Sequence, residues 1–317
     1  MMEKPIIICA GSKYVDIDVL ACAVAYKELL ELRGKKAKTV FTGEFNKTVP
    51  ISVLAWNMDI SHDVPENPHD YNYVLVDISN PNYFEKFVVR EQVIEVFDHH
   101  HGFEKYWIKL IGSRAKIETV GSCATLIWEE YKKHNKENMI SPTGANLIYT
   151  AIISNTLNFR ASITSIRDIR AAEEIKQYIT LPDIWIQQYY KETEQEILSE
   201  PKIAIANDTK SLVINNDDYL IAQLELWNAV TFINRHDILE IALQGLNINE
   251  LAHNELNWFL TIASIEENKN YIITSSEFIK QKLKIYLGAV FTGYIGETKQ
   301  LFLRKEILKK LDEDKIY

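Results

Sequence analysis

Three short segments of the sequence combine acidic residues and histidines in a pattern suited to binding metal ions. Asp16 and Asp18 lie in "GSKYVDIDVLA", Asp77 lies in "YVLVDISNP", and Asp98 precedes three consecutive histidines in "VFDHHHG". Carboxylate oxygens together with imidazole nitrogens suit Mn²⁺, Co²⁺ or Zn²⁺. A carboxylate shared by two such ions can hold them about 3.5–4 Å apart for hydrolysis of a phosphoryl bond. Without a cation, acids gathered at one place would repel one another and carry a large desolvation cost.

Elements that alternate between strand and helix are predicted to position these residues. The sequence predicts strands at 5–10, 37–43, 71–79 and 93–98, and helices at 18–34, 121–135 and 141–156. Such alternation implies a parallel sheet with helices on both faces. Because ligands bind beyond the carboxyl ends of the strands in a sheet of this kind, we expect the acidic segments to meet at one edge.

The second half of the chain has a different pattern. From about residue 200 it contains the β-rich segments "KIAIAN", "SLVIN", "YLIAQLELW", "WFLTIASIEE" and "NYIITSS", and it ends in "TKQLFLRKEILKKLDED", which is basic and helical in its second half. A charged helix and linker near 185–200 separate the two halves. We therefore predict an α/β fold with a parallel-sheet domain over 1–190 and a smaller mixed α/β domain over 198–317 that closes over a cleft.

Composition limits the classes of partner. The net charge is −9, from 35 basic and 44 acidic side chains among 317 residues, which argues against a sequence-independent nucleic-acid binder. No apolar run reaches the roughly 18–20 residues of a membrane span, and the N-terminus lacks the features of a secretory signal. The three cysteines are scattered, as in a reducing compartment. We expect a cytoplasmic protein without membrane or nucleic-acid partners.

The ordered set "DID", "VLVDIS", "VFDHH" and "GSCATLIWE" resembles the DHH phosphoesterase superfamily. The likeness continues through "AIISNTLNFRASITSIRD", which is similar to the family's fourth motif. It then reaches "NDTKSLVINNDDYLIAQLE" and "LFLRKEILKKL", which are similar to the small domain of manganese-dependent family II inorganic pyrophosphatases. Cytosolic exopolyphosphatases are similar in the first motif. The resemblance covers nearly the whole chain.

The resemblance implies a set of metal ligands. Asp16 would ligate one ion, Asp18 would ligate the other, and Asp77 would bridge the two. His99 would complete the second site, and Asn155 stands where the family's fourth motif has an aspartate. Asp98 would support the site from behind its ligands. The cofactor implied is Mn²⁺, with Co²⁺ or Mg²⁺ as alternatives.

The resemblance also implies a substrate and a mechanism. A small inorganic phosphate compound, pyrophosphate or short polyphosphate, would bind in the cleft. His100 would face the substrate phosphate or the leaving group and act in catalysis with Asp77. Lys210, Arg304 and Lys305 match the cations that grip terminal phosphates, a task suited to guanidinium and ammonium groups. A metal-activated hydroxide would attack phosphorus in line.

Three departures from the family pattern predict a weakened site. Ser12 stands where the family's first motif usually has a histidine, and Asn155 replaces an aspartate. The C-terminal motif, usually Ser-Arg-Lys-Lys, reads Leu303-Arg304-Lys305-Glu306. Three aspartates leave a net positive charge on two divalent ions, so we expect weaker binding of the second ion.

Two further functions stay open from the sequence. One is phosphodiesterase action on short oligonucleotides or cyclic dinucleotides, although "FTGYIGETKQ" lacks the histidine that such relatives carry in a glycine-rich stretch. The other is a non-catalytic phosphate- or nucleotide-binding protein with a degenerate metal site. A homodimer is compatible with the family resemblance, although no segment of the sequence demonstrates one.

Overall fold

A computed structural model of the chain describes residues 4–214, 217–249 and 253–312, and of Lys305 it describes the backbone alone. The chain divides into two compact units. The first comprises Met1–Phe159 and Ile163–Ile186, and the second comprises Arg160–Ser162 and Gln187–Tyr317. The division falls at the start of the helix that the sequence placed between the two halves of the chain.

The first unit is built on a five-stranded sheet in which every described pair of strands is parallel. Its strands are β1 (Ile6–Cys9), β3 (Ala37–Thr39), β5 (Asn72–Val76), β6 (Val93–Asp98) and β7 (Ala115–Ile117), and a separate short pair is formed by β2 (Tyr14–Val15) and β4 (Glu44–Phe45). The strand order is β3-β1-β5-β6-β7. The central strands β1 and β5 are buried almost throughout, as expected for a sheet covered on both faces.

Among the described residues, the first unit also contains six α-helices. They are α1 (Ile17–Leu32), α2 (Ile51–Leu54), α3 (Glu104–Ile111), α4 (Cys123–Lys133), α5 (Pro142–Asn155) and α6 (Ile166–Ile175). Helices α1 and α5 are apolar on most sides and are buried accordingly. Ser122 and Ser141 cap α4 and α5, each accepting a hydrogen bond from a backbone N–H of the first turn.

The second unit contains a six-stranded mixed sheet. Its strands are β8 (Lys210–Ile214), β9 (Asp217–Leu226), β10 (Asn257–Ser264), β11 (Lys269–Ile273), β12 (Val290–Thr292) and β13 (Ile295–Glu297), in the order β12-β13-β11-β10-β9-β8. Only the β9–β10 pair is parallel among those described. The helices are α7 (Trp185–Ser199), α8 (Pro201–Asp208), α9 (Val230–Ile233), α10 (Ile238–Gly245), α11 (Glu277–Leu287) and α12 (Arg304–Asp312). These elements confirm the predicted fold class.

Some element predictions were wrong. "KIAIAN" lies in helix α8 and not in a strand. Pro201 begins that helix, where its missing N–H costs nothing, and Ile205 packs so closely against Gly245 that a Cβ on the glycine would lie 2.6 Å from it. The strands predicted at 37–43 and 71–79 end earlier, at Thr39 and Val76, and the strand β7 was not predicted.

The structure shows the state of the three cysteines and the hydropathy of the described helices. Cys9, Cys22 and Cys123 are buried and form no disulfide. Within the described ranges, we find no helix with the length and hydropathy of a membrane span.

Candidate metal centre

The carboxyl edge of the parallel sheet in the first unit surrounds a cavity of about 630 Å³. Asp77 follows β5, Asp98 ends β6, and Asp16 caps the N-terminus of α1. These three acids line the cavity together with His100. The acidic segments therefore meet at one edge of the sheet, since parallel strands all end on the same side.

Asp77 and His99 face each other at this edge. Nε2 of His99 lies 3.3 Å from Oδ1 of Asp77 and 4.0 Å from Oδ2 of Asp18. Nδ1 of His99 lies 3.1 Å from the carbonyl oxygen of Val120, an arrangement in which Nδ1–H donates to that carbonyl and Nε2 is directed towards the acids. This is how a metal-ligating histidine is usually held, with one nitrogen fixed by the protein and the other aimed at the ion.

The environment of Asp77 is unusual in two respects. Its backbone has a φ of 54°, in the left-handed region that few residues other than glycine adopt. Its Oδ1 is buried and accepts no hydrogen bond of good geometry within the part of the chain that the structure describes, and Nε2 of His99 lies 3.3 Å from it. A divalent cation bound at this oxygen would give the buried carboxylate an ionic partner.

Asp18 is fully buried and is held by the N-terminus of α4. It accepts hydrogen bonds from Ser122 Oγ at 2.9 Å, Cys123 N at 2.8 Å and Ala124 N at 2.9 Å. A helix N-terminus stabilises an anion because its first N–H groups lack partners within the helix. The carboxylate is thus fixed in place, with Oδ2 on the side of His99.

His100 is oriented by the buried Asp98. Oδ1 of Asp98 accepts hydrogen bonds from the backbone N–H groups of His99 and His100, at 2.8 and 3.1 Å, and lies 2.8 Å from Nδ1 of His100. Burial alone would raise the pKa of Asp98, but the hydrogen bond and charge of His100 outweigh it and lower that pKa. The same contact raises the pKa of His100. With Nδ1 engaged, the imidazole presents Nε2, and the side chain is 64% exposed.

Burial and mutual repulsion dominate the electrostatics of the acids. Burial first, then the charges of Asp77 and Asp18, raise the pKa of Asp16 to about 7. Burial and Asp77 raise the pKa of Asp18 to about 6, against the opposing effects of His99 and the α4 N–H groups. Burial would lower the pKa of His99, but Asp77 and Asp18 outweigh it and raise that pKa to about 10. The cluster is therefore short of positive charge.

These observations fit a divalent metal ion. One ligand atom each from Asp77, His99 and His100 lie within 4.8 Å of one another. Oxygen and imidazole donors, a buried oxygen without a hydrogen bond of good geometry and raised carboxylate pKa values are what such a site presents before it is loaded. Asp16 and Asp18 adjoin the same cluster, because Asp16 lines the same cavity as Asp77 and Oδ2 of Asp18 lies 4.0 Å from Nε2 of His99.

Asn155 has no described contact with this cluster. Its side-chain nitrogen donates to the carbonyl of Ala151, one turn earlier in α5, and it is not among the described residues that line the cavity. The backbone directly after α5 has an unusual conformation, because residues 157–159 have left-handed φ values of 48°, 53° and 64°. The role of Asn155 as a metal ligand stays a prediction.

The predicted phosphate-binding cations lie in the second unit. Lys210 begins β8, and Arg304 is the first residue of α12. Nη1 of Arg304 donates to the carboxylate and the carbonyl of Asp208, at 2.6 Å each, and its side chain is 13% exposed. The side chain of Lys305 lies outside the described residues. Phosphate binding by these three residues stays a prediction.

Several residues of the site were not assigned a role from the sequence. They are Val120, which binds His99, the α4 N-terminus at 122–124, which holds Asp18, and the cavity-lining residues Lys13, Tyr14, Asn80, Asn82 and Tyr83. The sequence does indicate the α4 N-terminus, because a serine before a helical pattern predicts an N-cap and hence an anion-binding site. No pattern in the sequence indicates the loop residues that line the cavity.

Known proteins resemble this chain over nearly its full length. It is 27% identical to a probable manganese-dependent inorganic pyrophosphatase of Bacillus velezensis over 95% of this chain and 97% of that protein. It is 25% identical to a protein of the same description from an Exiguobacterium species, over 92% and 94% of the two chains. No protein-family model matches the chain.

A solved structure has the same fold. The putative family II inorganic pyrophosphatase of Methanococcus jannaschii superposes with a TM-score of 0.61 at 18% identity, covering 98% of this chain and 99% of the other. The relatives' names and this shared fold confirm the predicted resemblance to a DHH-like superfamily, at low sequence identity. More narrowly, the fold of the chain is that of the family II inorganic pyrophosphatases, and its identity to the named relatives is low.

Proposed function

We propose that this protein is a divalent-metal-dependent hydrolase of inorganic pyrophosphate, with short polyphosphate as a second substrate. The observation that supports it most is the cluster of Asp16, Asp18, Asp77 and His99 at one edge of the sheet, where a buried oxygen of Asp77 accepts no hydrogen bond of good geometry. Relatives named manganese-dependent inorganic pyrophosphatases, similar over nearly the full length, support the same class and favour Mn²⁺.

The environment of each residue suggests its role in binding the metal ion or the substrate. Asp77 and His99, with Asp18 behind them, would hold the ion, and Asp16 would extend the site towards Ser12. When bound, a divalent ion lowers the pKa of its water, so that hydroxide is available at neutral pH. His100, kept in one orientation by Asp98, would donate a hydrogen bond or a proton to the leaving phosphate.

The substrate's negative charge requires cations beyond the metal. In the second unit we propose Lys210, Arg304 and Lys305 for this task. Arg304 already engages Asp208, so a phosphate would share or replace that carboxylate as its partner. A planar guanidinium suits either partner, because it presents several donors in one plane.

A matrix of metals and substrates tests the proposal. Phosphate release from pyrophosphate, tripolyphosphate and a linear dinucleotide is measured with Mn²⁺, Co²⁺, Zn²⁺ or Mg²⁺. We expect turnover of pyrophosphate with Mn²⁺ or Co²⁺ and at least a hundredfold loss in Asp77→Asn. Asp59→Asn, an acid 85% exposed, is the matched control and should retain full activity. A metal-loaded protein that releases no phosphate from either inorganic substrate would refute the proposal.

A further inference from the structure

Asp168 is a fully buried carboxylate that the proposed chemistry does not use. It lies in the first turn of α6 and forms a capping box with Ser165, whose N–H and hydroxyl both donate to Oδ2 at 2.7 Å. It also accepts from Gly121 N at 2.8 Å and Thr125 Oγ1 at 2.6 Å. A capping box alone would satisfy α6. The two extra donors come from another element, the start of α4.

The segment 121–125 is shared between two buried carboxylates. Its end residues, Gly121 and Thr125, donate to Asp168, and the three residues between them donate to Asp18. Five consecutive residues therefore hold two acids that are distant in sequence. A displacement of the segment from one acid must change its contacts with the other.

The packing leaves this segment little room to move. A Cβ on Gly121 would lie 2.7 Å from Cγ2 of Thr156 and 3.0 Å from Oδ2 of Asp168, too close for any side chain. Asp18 in turn needs a firm hold, because Asp77 repels it in the metal-free protein. If the α4 N-terminus shifted, the carboxylate would be free to turn away from His99.

We propose that Asp168 is a positioning residue for the metal centre, which acts through the segment 121–125 on the orientation of Asp18. This inference rests on the proposed function, because it assumes that Asp18 faces a bound divalent ion. It assigns Asp168 no contact with metal or substrate. The competing interpretation is that Asp168 only stabilises helix α6.

The test compares metal binding with stability in the full chain. Asp168→Asn keeps the size of the side chain but places an NH₂ group against donors. Thr125→Val removes one donor at constant shape, and Thr125→Ser restores the hydroxyl. Glu28→Gln is the matched control, because Glu28 accepts from the backbone N–H and hydroxyl of Ser141 at the start of α5. The dissociation constant of Mn²⁺ is measured by calorimetry and by the electron paramagnetic resonance of free Mn²⁺.

Substitution of a residue that hydrogen-bonds a metal ligand typically weakens metal binding 10- to 100-fold. Asp168 does not bond Asp18 itself but bonds the segment that does, so its effect should lie at the lower end of that range. We therefore expect about a tenfold rise in the Mn²⁺ dissociation constant for Asp168→Asn and a smaller rise for Thr125→Val, with recovery in Thr125→Ser. Glu28→Gln should lower the melting temperature yet leave the constant within twofold of wild type. An unchanged constant in a folded Asp168→Asn protein would overturn the inference.

The Thr125→Val variant and amide hydrogen exchange test the inference if Asp168→Asn does not fold or if the protein binds no Mn²⁺. If Asp168→Asn does not fold, an unchanged constant in Thr125→Val overturns the inference in its place. If the wild-type protein binds no Mn²⁺, the proposed function fails, and amide hydrogen exchange of the metal-free proteins still tests Asp168. We expect the amides of Cys123 and Ala124 to exchange at least tenfold faster in Asp168→Asn than in Glu28→Gln. Equal exchange in the two variants would count against a positioning role.

Discussion

The affinity of this protein for Mn²⁺ should depend steeply on pH, because the ligands must lose protons before they bind a cation. In the metal-free protein the pKa values are about 7 for Asp16, about 6 for Asp18 and about 10 for His99. At pH 8 only His99 still holds its proton, so about one proton should leave per ion bound. At pH 5.5 all three groups are largely protonated, and about three should leave.

The magnitude follows from the same values. Between pH 8 and pH 6, competition by protons weakens binding about tenfold through Asp16, about twofold through Asp18 and about a hundredfold through His99. The combined effect is roughly two-thousandfold, or about 4–5 kcal/mol. Since the three groups interact, the protons belong to the cluster as a whole.

Calorimetry in two buffers with different ionisation enthalpies measures both the affinity and the number of protons released. Asp16→Asn should bind Mn²⁺ more weakly at pH 8 and show a pH effect reduced to roughly two-hundredfold. The control Asp59→Asn should match wild type. A dissociation constant that changes less than tenfold between pH 6 and 8 would refute the reasoning.

The stability of the metal-free protein should have the opposite pH dependence. Between about pH 4 and 7 the folded state holds protons on Asp16 and Asp18 that the unfolded chain, with a pKa of 3.8, has released. Stability therefore falls as pH rises through this range. His99 acts in the same direction: its contribution is complete below pH 6.5 and is lost as pH rises towards 10. With chelator present, the melting temperature should be higher at pH 5.5 than at pH 8, and Mn²⁺ should reverse the order; equal melting temperatures would contradict the assignment.

Three substitutions test individual contacts. Asp98→Asn removes the charge that raises the pKa of His100, so the alkaline limb of the kcat profile should move to lower pH with roughly tenfold slower turnover; an unmoved limb would exclude His100 as the proton donor. Ser122→Ala removes the cap of α4 and a donor to Asp18 and should cost about 1–2 kcal/mol of unfolding free energy in urea, with Ser122→Thr losing less. Asn270→Ala removes a buried side chain that bonds Thr261 and both backbone groups of Phe302, and a free energy of unfolding in urea lowered by about 3 kcal/mol is expected; a loss under 1 kcal/mol would show that other groups replace it.

The sequence predicted the strand that carries the histidines because its β-branched run leads directly to Asp98. It failed at "KIAIAN", where alternating apolar residues indicated a strand but Pro201 and the close contact of Ile205 with Gly245 select a helix. A six-residue apolar pattern does not separate the two structures. Tertiary packing decided this case.

The acids of the site were found because their types and their places after strands carry information. The residues that support these acids were not found from the sequence. The local sequence around Asp168 indicates only an ordinary capping residue of α6. Its two bonds to Gly121 and Thr125 depend on how α4 and α6 pack. The periodicity and spacing of residues in a sequence do not indicate such a contact between distant segments.

Asp16 and Asp18 differ in how the fold supports them, although one residue separates them. Asp18 has three hydrogen bonds from the α4 N-terminus and Ser122, whereas the Asp16 side chain is bonded by the backbone N–H groups of Val19 and Asp18 within its own helix. Burial and then the charge of Asp77 raise the pKa of Asp18, and the charge of His99 and then the α4 N–H groups oppose that rise. The side of the cluster that contains Asp18, Asp77 and His99 is therefore better prepared for a cation. The resemblance implies a missing histidine ligand at Ser12, which lines the same cavity as Asp16, so we expect a cation on that side to bind more weakly.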